Sequence, residues 1–281
     1  WNGTSWQRVG PEGAPGLELG DLSVGDAIRF NVRAMAVYDP DQGGPLPPEL
    51  YVGGAFPTAG GGSAQGIARW NGVSSTWSDV GGPFAGSQNV VYALAVVDED
   101  LGGPLPPVLY AAGRLTAMGD GTVVTGLAKW NGTSWSAVPG IVESAPGNPG
   151  VDGITAQGVH RDGAGETLWV GGNMLVNGVP CGVARLVNGS WECVFSDGGP
   201  LGGTIANDYL GLPMTVQRIA QFGQDMYFLG PPSGPAPTPC VQGSYRGGLY
   251  RWNAASGQTA WVADIDALTH ALEAFVAVTA S

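Results

Sequence analysis

The chain has 281 residues, of which 43% are hydrophobic, and a formal net charge of −12. An acidic surface repels phosphate groups, so we expect neither nucleic-acid binding nor attraction to an anionic membrane surface. No apolar run approaches the length that crosses a bilayer, so we expect no membrane insertion. With 49 glycines and 22 prolines beside this hydrophobic fraction, the composition is typical of an ordered, turn-rich β protein.

Four strand-like segments, here called a to d, follow one another in each repeat of the sequence. Segment a alternates small residues with larger ones and occurs at 33–37, 92–96, 155–159, 218–222 and 273–277. Segment b contains an aromatic residue, ends on glycine and occurs at 50–54, 109–113, 168–172 and 226–230. Its aromatic residues recur about every 59 residues, which indicates one supersecondary unit copied in tandem.

Segments c and d flank a tight turn and carry large aromatic residues on both sides of it. Segment c occurs at 66–70, 126–130, 182–186 and 248–252, and segment d starts at the aromatic residue after the turn. Asn-Gly pairs at 2–3, 71–72, 131–132 and 188–189 are predicted to supply the positive φ that a tight hairpin turn needs. Nine of the ten tryptophans lie at such turns, so we expect them to pack between neighbouring units.

A four-stranded antiparallel unit of this length, repeated in tandem, predicts an all-β fold of the β-propeller class. The sequence begins at the end of a segment c and stops just after a segment a, with four complete blades between. Its two ends could combine into a fifth blade that is split between the termini. We therefore interpret residues 1–281 as a single β-propeller domain that is a portion of a longer chain, in which further sequence could add blades. The basic residues at 69, 129, 185 and 251 are expected to meet a carboxylate or an aromatic ring.

These residues resemble the Kelch-type repeats of β-propellers. In that family a Gly-Gly pair ends segment b, and an aromatic residue, six further residues and a Trp follow. Gly53-Gly54 with Trp70 and Trp77 matches this pattern. Gly171-Gly172 fits as well, but Leu186 replaces the aromatic residue, and the period exceeds the roughly 50 residues of Kelch repeats. The chain is also similar to Gly- and Trp-rich tandem repeats of secreted bacterial proteins. Both resemblances imply a propeller, and neither implies an activity.

The three cysteines, Cys181, Cys193 and Cys240, leave at least one thiol unpaired within the chain. Pairing outward from the turn at 188–189 puts Cys193 opposite about Arg185 and roughly 13 Å from Cys181, so no bridge is expected between these two. Cys181 and Cys240 stand in equivalent loops of successive repeats and are the better disulfide candidates. Buried free thiols are the alternative.

Two acidic loops between segments a and b are the candidate binding sites. Asp39 and Asp41 in the first correspond to Asp98 and Asp100 in the second, and both loops end in Gly-Gly-Pro-Leu-Pro-Pro. Clustered carboxylates supply the oxygen ligands that calcium prefers, so a calcium site at these four aspartates is one interpretation. Neither loop has the complete calcium-loop pattern, and Asp and Gly also form ordinary turns. A solvent-exposed turn without a cofactor is therefore the other interpretation.

Signatures of catalysis are scarce. His160 and His270 are the only histidines, which leaves neither a three-histidine metal site nor a convincing pair of nucleophile and base. No Gly-x-Ser-x-Gly elbow, Cys-x-x-Cys pair or phosphate-binding loop is present. Paired carboxylates of the glycosidase type are recognised by geometry rather than by spacing, so a carbohydrate-active hydrolase stays open.

The leading hypothesis is a non-catalytic β-propeller, extracellular or on a cell surface, that serves as a binding or structural module of a larger surface protein or assembly. Its partner would be a protein or a glycan that contacts loops at one face of the ring, because rigid scaffolds present function on loops. A hydrolase with two carboxylates in the central depression is the first alternative. A self-assembling subunit of a filament or surface layer is the second.

Overall fold

The structure is a computed structural model that describes residues 4–5, 9, 15–18, 32–82, 84–85, 89–100, 103–143, 153–163, 165–195, 216, 218–230 and 244–268. These residues contain no helix, and so none that could span a membrane. The chain divides into two compact units, residues 1–96 with 105–137 and residues 97–104 with 138–281.

The described strands of the first unit are β1 (Leu17–Glu18), β2 (Val32–Tyr38), β3 (Glu49–Gly54), β4 (Thr58–Ala59), β5 (Gly62–Ser63), β6 (Ile67–Asn71), β7 (Thr76–Ser78), β8 (Phe84–Ala85), β9 (Val90–Val97), β10 (Val108–Arg114), β11 (Ala117–Met118), β12 (Leu127–Trp130) and β13 (Trp135–Ala137). Those of the second unit are β14 (Ile141–Glu143), β15 (Ile154–Arg161), β16 (Glu166–Val176), β17 (Val179–Val187), β18 (Ser190–Phe195), β19 (Arg218–Phe222), β20 (Asp225–Gly230), β21 (Ser244–Asn253) and β22 (Gln258–Leu268).

Each unit contains two antiparallel sheets whose four main strands follow one another in chain order. The first and second sheets are β2-β3-β6-β7 and β9-β10-β12-β13, and the third and fourth are β15-β16-β17-β18 and β19-β20-β21-β22. In every sheet the four strands coincide with segments a, b, c and d. The predicted fold class is confirmed: the described chain is all-β, with the four-stranded antiparallel blades of a β-propeller.

The segments that were predicted to combine into a fifth blade, residues 1–6 and 273–277, lie almost wholly outside the described residues. The split blade and the single domain over residues 1–281 therefore stay predictions.

Among the described residues, three short strands, β1, β8 and β14, pair with the b–c hairpin of the sheet that follows. In the first unit β1 pairs with β4 and β8 with β11, and in the second unit β14 pairs with the far end of β16. These connectors also receive indole N–H groups: Trp135 Nε1 donates to the Val80 carbonyl oxygen at 2.8 Å, and Trp191 Nε1 to that of Pro139 at 3.0 Å. In the first unit the connector that contains β8 thus joins the first sheet to the second.

The tryptophans whose side chains the structure describes are all at least half-buried, and the predicted packing between neighbouring units is seen for Trp252, whose ring centroid lies 5.0 Å from that of Trp169 in the third sheet. Four are buried and three are half-buried: Trp130, Trp169, Trp191 and Trp252 in the first group, and Trp70, Trp77 and Trp135 in the second. Burial of such large side chains stabilises each unit, because apolar area removed from water dominates the favourable free energy of folding.

Glycine at the end of segment b allows neighbouring chains to approach closely. A Cβ atom on Gly53 would lie 2.5 Å from Cγ1 of Val91 in β9 of the second sheet. At Gly113 the approach is closer, because a Cβ atom there would lie 1.9 Å from the Val90 carbonyl oxygen. These glycines at the end of segment b thus have a packing reason, since any side chain would displace the adjacent strand.

Gly113→Ala is expected to lower the free energy of unfolding by about 1–3 kcal/mol, because the new methyl group must push backbone aside. Gly163→Ala is the matched control: a Cβ atom on Gly163 meets nothing within 4 Å, and its cost should stay within about 0.5 kcal/mol. Urea unfolding followed by tryptophan fluorescence measures both. Equal midpoints for the two variants would contradict the packing argument.

The c–d turns agree with the prediction at one of the three described Asn-Gly positions. Asn188 and Gly189 both have positive φ, 50° and 76°, in a two-residue turn between paired Val187 and Ser190. At Asn71 and Asn131 the tight turn is wrong, because the loops are longer, and only Gly132 of these two pairs has the expected positive φ, 95°. There the Asn side-chain oxygen accepts backbone N–H groups two and three residues ahead, at 2.9–3.0 Å. An Asx turn replaces the tight turn because the extra residues leave room for it.

The expected cysteine pairing is wrong. Cys181 and Cys193 form a disulfide, with Cα atoms 5.9 Å apart, and Cys240 lies outside the described residues. Cys193 pairs with Ala184 rather than Arg185, and both ladders of β17 shift register beside Val183. Three residues of straight strand would put Cys181 about 10 Å beyond Ala184, so the 5.9 Å separation of the two cysteine Cα atoms requires the chain to bend at this irregularity.

Candidate functional site

The first a–b loop uses its carboxylates to fix its own backbone. Asp39 accepts the N–H groups of Asp41 and Gly43, at 3.2 and 2.8 Å, and Asp41 accepts that of Leu46 at 2.9 Å. The Gly44 N–H donates to the Asp41 carbonyl oxygen. The loop is therefore a preorganised turn, and residues 42–48 are all exposed.

The second a–b loop repeats part of this arrangement. The Asp100 N–H donates to the Asp98 carboxylate at 3.2 Å, and the Gly103 N–H to the Asp100 carbonyl oxygen. The Asp98 N–H donates to Glu166 Oε2 at 2.8 Å, which ties the start of the loop to β16 of the third sheet. Leu105 and Pro106 are exposed, as their counterparts in the first loop are.

The predicted calcium ligands are thus found in turn geometry. Among the described residues no group of three or more His, Cys, Asp and Glu side chains is placed to hold a metal ion. Although desolvation acts in the opposite direction, hydrogen bonds from Asp41 and the backbone of Gly43 hold the pKa of Asp39 below its usual value. Both interpretations, a calcium site at Asp39, Asp41, Asp98 and Asp100 and a solvent-exposed turn without a cofactor, stay untested.

Calcium is expected to leave the thermal unfolding midpoint of the chain unchanged, because both first-loop carboxylates already satisfy backbone donors. Scanning calorimetry in EDTA and at rising CaCl2 concentration measures this. A ligand at one hundred times its Kd would stabilise the protein by about 2.7 kcal/mol, so a saturable rise in midpoint would establish the alternative. Asp41→Asn would then have to abolish the rise.

The end of segment a links neighbouring a–b loops, and sequence reasoning missed this role. In the first unit the Tyr38 hydroxyl donates to the Pro107 carbonyl oxygen at 3.0 Å, and Gln42 Nε2 to that of Leu105 at 3.4 Å. In the second unit His160, at the position equivalent to Tyr38, places Nε2 2.9 Å from the Gln224 carbonyl oxygen. The sequence feature that could have indicated this role is a large polar side chain at the end of segment a, Tyr38 in β2 and His160 in β15.

Burial raises the pKa of Tyr38 to about 12, with smaller contributions from Tyr51 and Asp39. The hydroxyl stays protonated in the folded protein while the unfolded chain ionises near pH 10. Its stabilising contribution is therefore complete below pH 10 and is lost as the pH rises towards 12.

Tyr38→Phe is expected to be about 1 kcal/mol less stable than the parent at neutral pH, because the hydrogen bond to Pro107 is lost. It should then lose less stability than the parent between about pH 10 and 12. Urea unfolding at several pH values measures both effects. Parallel pH profiles for the two proteins would contradict the raised pKa of Tyr38.

The basic residues of segment c are engaged as expected wherever their contacts are described. Arg69 pairs with Glu49, with Nη1 and Oε2 3.2 Å apart, and Arg251 pairs with Asp225. The Ala254 N–H and the Arg251 guanidinium hold the pKa of Asp225 below its usual value. The side chains therefore serve the scaffold, through ion pairs within their own sheets.

Arg185 makes both contacts that were expected of these basic residues, one with a carboxylate and one with an aromatic ring. Its Nη2 lies 2.8 Å from Glu192 Oε2, and its Cζ lies 4.9 Å from the centroid of the Trp252 ring. Because Trp252 belongs to the fourth sheet and Arg185 to the third, this cation–π contact helps to hold two sheets of the second unit together.

Comparison with known proteins assigns no family. No family model matches the chain, and no curated protein matches it. Among solved structures the chain is similar to the GH74 xyloglucanase from Xanthomonas campestris, with 17% sequence identity and a TM-score of 0.45 over 82% of this chain. The chain spans 29% of the length of that structure. The resemblance to Kelch-type repeats stays a prediction.

Proposed function

We propose that the chain is a non-catalytic β-propeller module that binds a protein or glycan partner through its a–b loops, as part of a larger surface protein or assembly. The observation that carries this proposal is the use of the loop carboxylates. Asp39 and Asp41 accept backbone N–H groups of their own loop, so residues 42–48 are held exposed in a fixed turn. Exposed loops on a rigid sheet are where binding sites concentrate.

An extracellular or cell-surface location is part of the proposal, and the Cys181–Cys193 disulfide supports it. Disulfides persist in oxidising compartments and are rare where glutathione keeps thiols reduced. Alkylation of the freshly isolated native protein with iodoacetamide, followed by peptide mass spectrometry, tests the location. Cys181 and Cys193 should remain unmodified until a reductant is added, and alkylation of both without reductant would contradict it.

A reducing-sugar assay on soluble polysaccharides separates the proposed module from a carbohydrate-active hydrolase. The purified chain should release no more reducing ends from xyloglucan, cellulose derivatives or pectin than buffer does. Sustained release that persists through purification would support the hydrolase, and substitution of Asp and Glu residues would then locate its two carboxylates. That result would overturn the non-catalytic proposal.

One observation favours self-association as a second candidate. In the second sheet, Leu94 and Val96 pack against the buried cluster of the first unit. The equivalent residues of the first sheet, Met35 and Val37, are 67% and 64% exposed. An exposed apolar face on an edge strand favours association with a second chain. Sedimentation velocity measures the oligomeric state. A concentration-dependent oligomer that Met35→Lys disperses would support self-assembly, and a monomer at high concentration would eliminate the self-assembly candidate.

A further inference from the structure

The two a–b loops present the same apolar segment to solvent. Pro45-Leu46-Pro47-Pro48 is the first PLPP segment, and Pro104-Leu105-Pro106-Pro107 is the second. The Leu46 side chain is 56% exposed and that of Leu105 is 57% exposed. A single exposed leucine needs no explanation, but the same exposed leucine at the same place in two repeats is a surface pattern.

The sequence of each PLPP segment restricts the backbone of the two residues that precede a proline, while the chain bends through residues 42–46 and 103–105 and runs without a bend at 47–48 and 106–107. The proline ring fixes φ near about −65°, and a residue before proline is driven into the β or polyproline II region. Leu46 and Pro47 each precede a proline. Proline also lacks an N–H group, so the segment presents apolar side chains and carbonyl oxygens. Aromatic-lined grooves of polyproline-reading domains recognise this combination.

The first PLPP segment is also held in place before any partner arrives. The Leu46 N–H donates to Asp41 Oδ2 at 2.9 Å, and Asp41 is itself positioned by Asp39. Ordering a flexible loop on binding costs free energy, so a segment that is already ordered binds more tightly with the same contacts.

Within the protein, one PLPP segment is already bound through its backbone carbonyl groups. In the second PLPP segment the carbonyl oxygens of Leu105 and Pro107 accept hydrogen bonds from Gln42 Nε2 and the Tyr38 hydroxyl. An amide and an aromatic hydroxyl thus contact alternate carbonyl groups, as in polyproline recognition. The equivalent carbonyl oxygens of the first segment, those of Leu46 and Pro48, accept no hydrogen bond from the residues that the structure describes.

The charge around the first PLPP segment limits the partner further. Asp39 and Asp41 precede it, and the whole chain carries a net charge of −12, whereas the charge of Glu49 after it is compensated by Arg69. A partner with basic residues at the rim of its groove would be attracted, and its affinity would fall with ionic strength.

We infer that the first PLPP segment is a docking site for a protein domain with an aromatic-lined, basic-rimmed groove that reads polyproline II segments. The second PLPP segment already accepts hydrogen bonds from Tyr38 and Gln42 within the chain, so it is not expected to bind a partner and serves as the control segment. This inference rests on the proposed function as a binding module, and it commits the partner to a protein rather than a glycan.

The test uses purified SH3, WW and EVH1 domains as 15N-labelled probes, each titrated with the unlabelled chain and followed by NMR. At least one domain should show saturable shifts confined to its aromatic groove, weaker at high salt. Leu46→Ala combined with Pro48→Ala should weaken that binding by about tenfold or more, a loss of about 1.4 kcal/mol. Leu105→Ala, an equally exposed leucine, is the matched control and should change it less than about twofold.

Three results would overturn the inference: no domain of the panel shifts, binding survives the double substitution, or Leu105→Ala weakens it equally. If the double substitution instead disperses a concentration-dependent oligomer, the occupant is a second copy of the chain and the inference is wrong. Unchanged thermal midpoints of all variants show that folding is intact. Failure of the proposed non-catalytic function would appear in the reducing-sugar assay, and failure of the docking inference would appear in the NMR titration, so the two failures can be distinguished.

Discussion

Trp169→Ala is expected to lower the free energy of unfolding of the second unit by about 3–5 kcal/mol, the range for removal of a fully buried tryptophan from a core. The Trp169 side chain is 0% exposed and packs in one cluster with Ala156, Val183 and Phe195. Its ring centroid lies 5.0 Å from that of Trp252 in the fourth sheet. The substitution therefore leaves a cavity between two sheets and removes an aromatic pair that links them.

The same change also affects Arg185. Its Cζ lies 5.9 Å from the Trp169 centroid as well as 4.9 Å from that of Trp252. Without the Trp169 ring the guanidinium keeps Glu192 and Trp252 but loses apolar surface along its stem. Native-state hydrogen exchange measured by mass spectrometry can assign the effect, because amides of β15 to β22 should lose protection together.

Trp169→Phe is the matched control. Trp169 Nε1 is buried and finds no acceptor among the described residues, and a buried donor without a partner costs about 1–3 kcal/mol. Phenylalanine removes that donor and keeps an aromatic ring, so its net cost should be well below that of alanine. Equal losses for the two variants, or a loss below about 1 kcal/mol for alanine, would show that Trp169 does not join the sheets.

The four sheets were predictable from the sequence because their information is local and repeated. Alternation along β2 and β9, and the fixed distance between Tyr51, Tyr110 and Trp169, define strands and period without any knowledge of contacts. The inward packing of the tryptophans follows from their size alone.

Features that depend on departures from regular strands were not predictable in this way. The bulges beside Val183 have no signature in the alternation of β17, yet they decide which cysteines meet. The turns at Asn71 and Asn131 share the Asn-Gly pair of Asn188, and only loop length distinguishes them.

The candidate site was located by sequence but its chemistry was not. Repetition of the acidic loop singled out Asp39 and Asp41, whereas their use as acceptors for backbone N–H groups depends on the folded geometry of the loop. The donors Tyr38 and Gln42 contact residues far along the chain, in the second loop, which no local pattern reveals.

Removal of the Cys181–Cys193 disulfide is expected to lower the free energy of unfolding of the second unit by about 3 kcal/mol, the loop-closure entropy for a loop of this length. The two cysteines are 12 residues apart, so the bridge closes the β17–β18 hairpin on itself. Cys181→Ala with Cys193→Ala, compared with the parent by urea unfolding, measures the loss. Reduction of the parent should give the same value, since Cys193 is exposed and open to attack by a thiolate.

Cys240→Ser discriminates between this pairing and the pairing of Cys181 with Cys240. Because the bridge uses Cys181 and Cys193, the substitution should leave both the urea midpoint and its response to reductant unchanged. Mass spectrometry of unreduced peptides should show residues 181 and 193 linked. If the linked peptides instead contained residues 181 and 240, the bent hairpin would be wrong, and with it the account of why the strand bulges beside Val183 bring Cys181 to its partner.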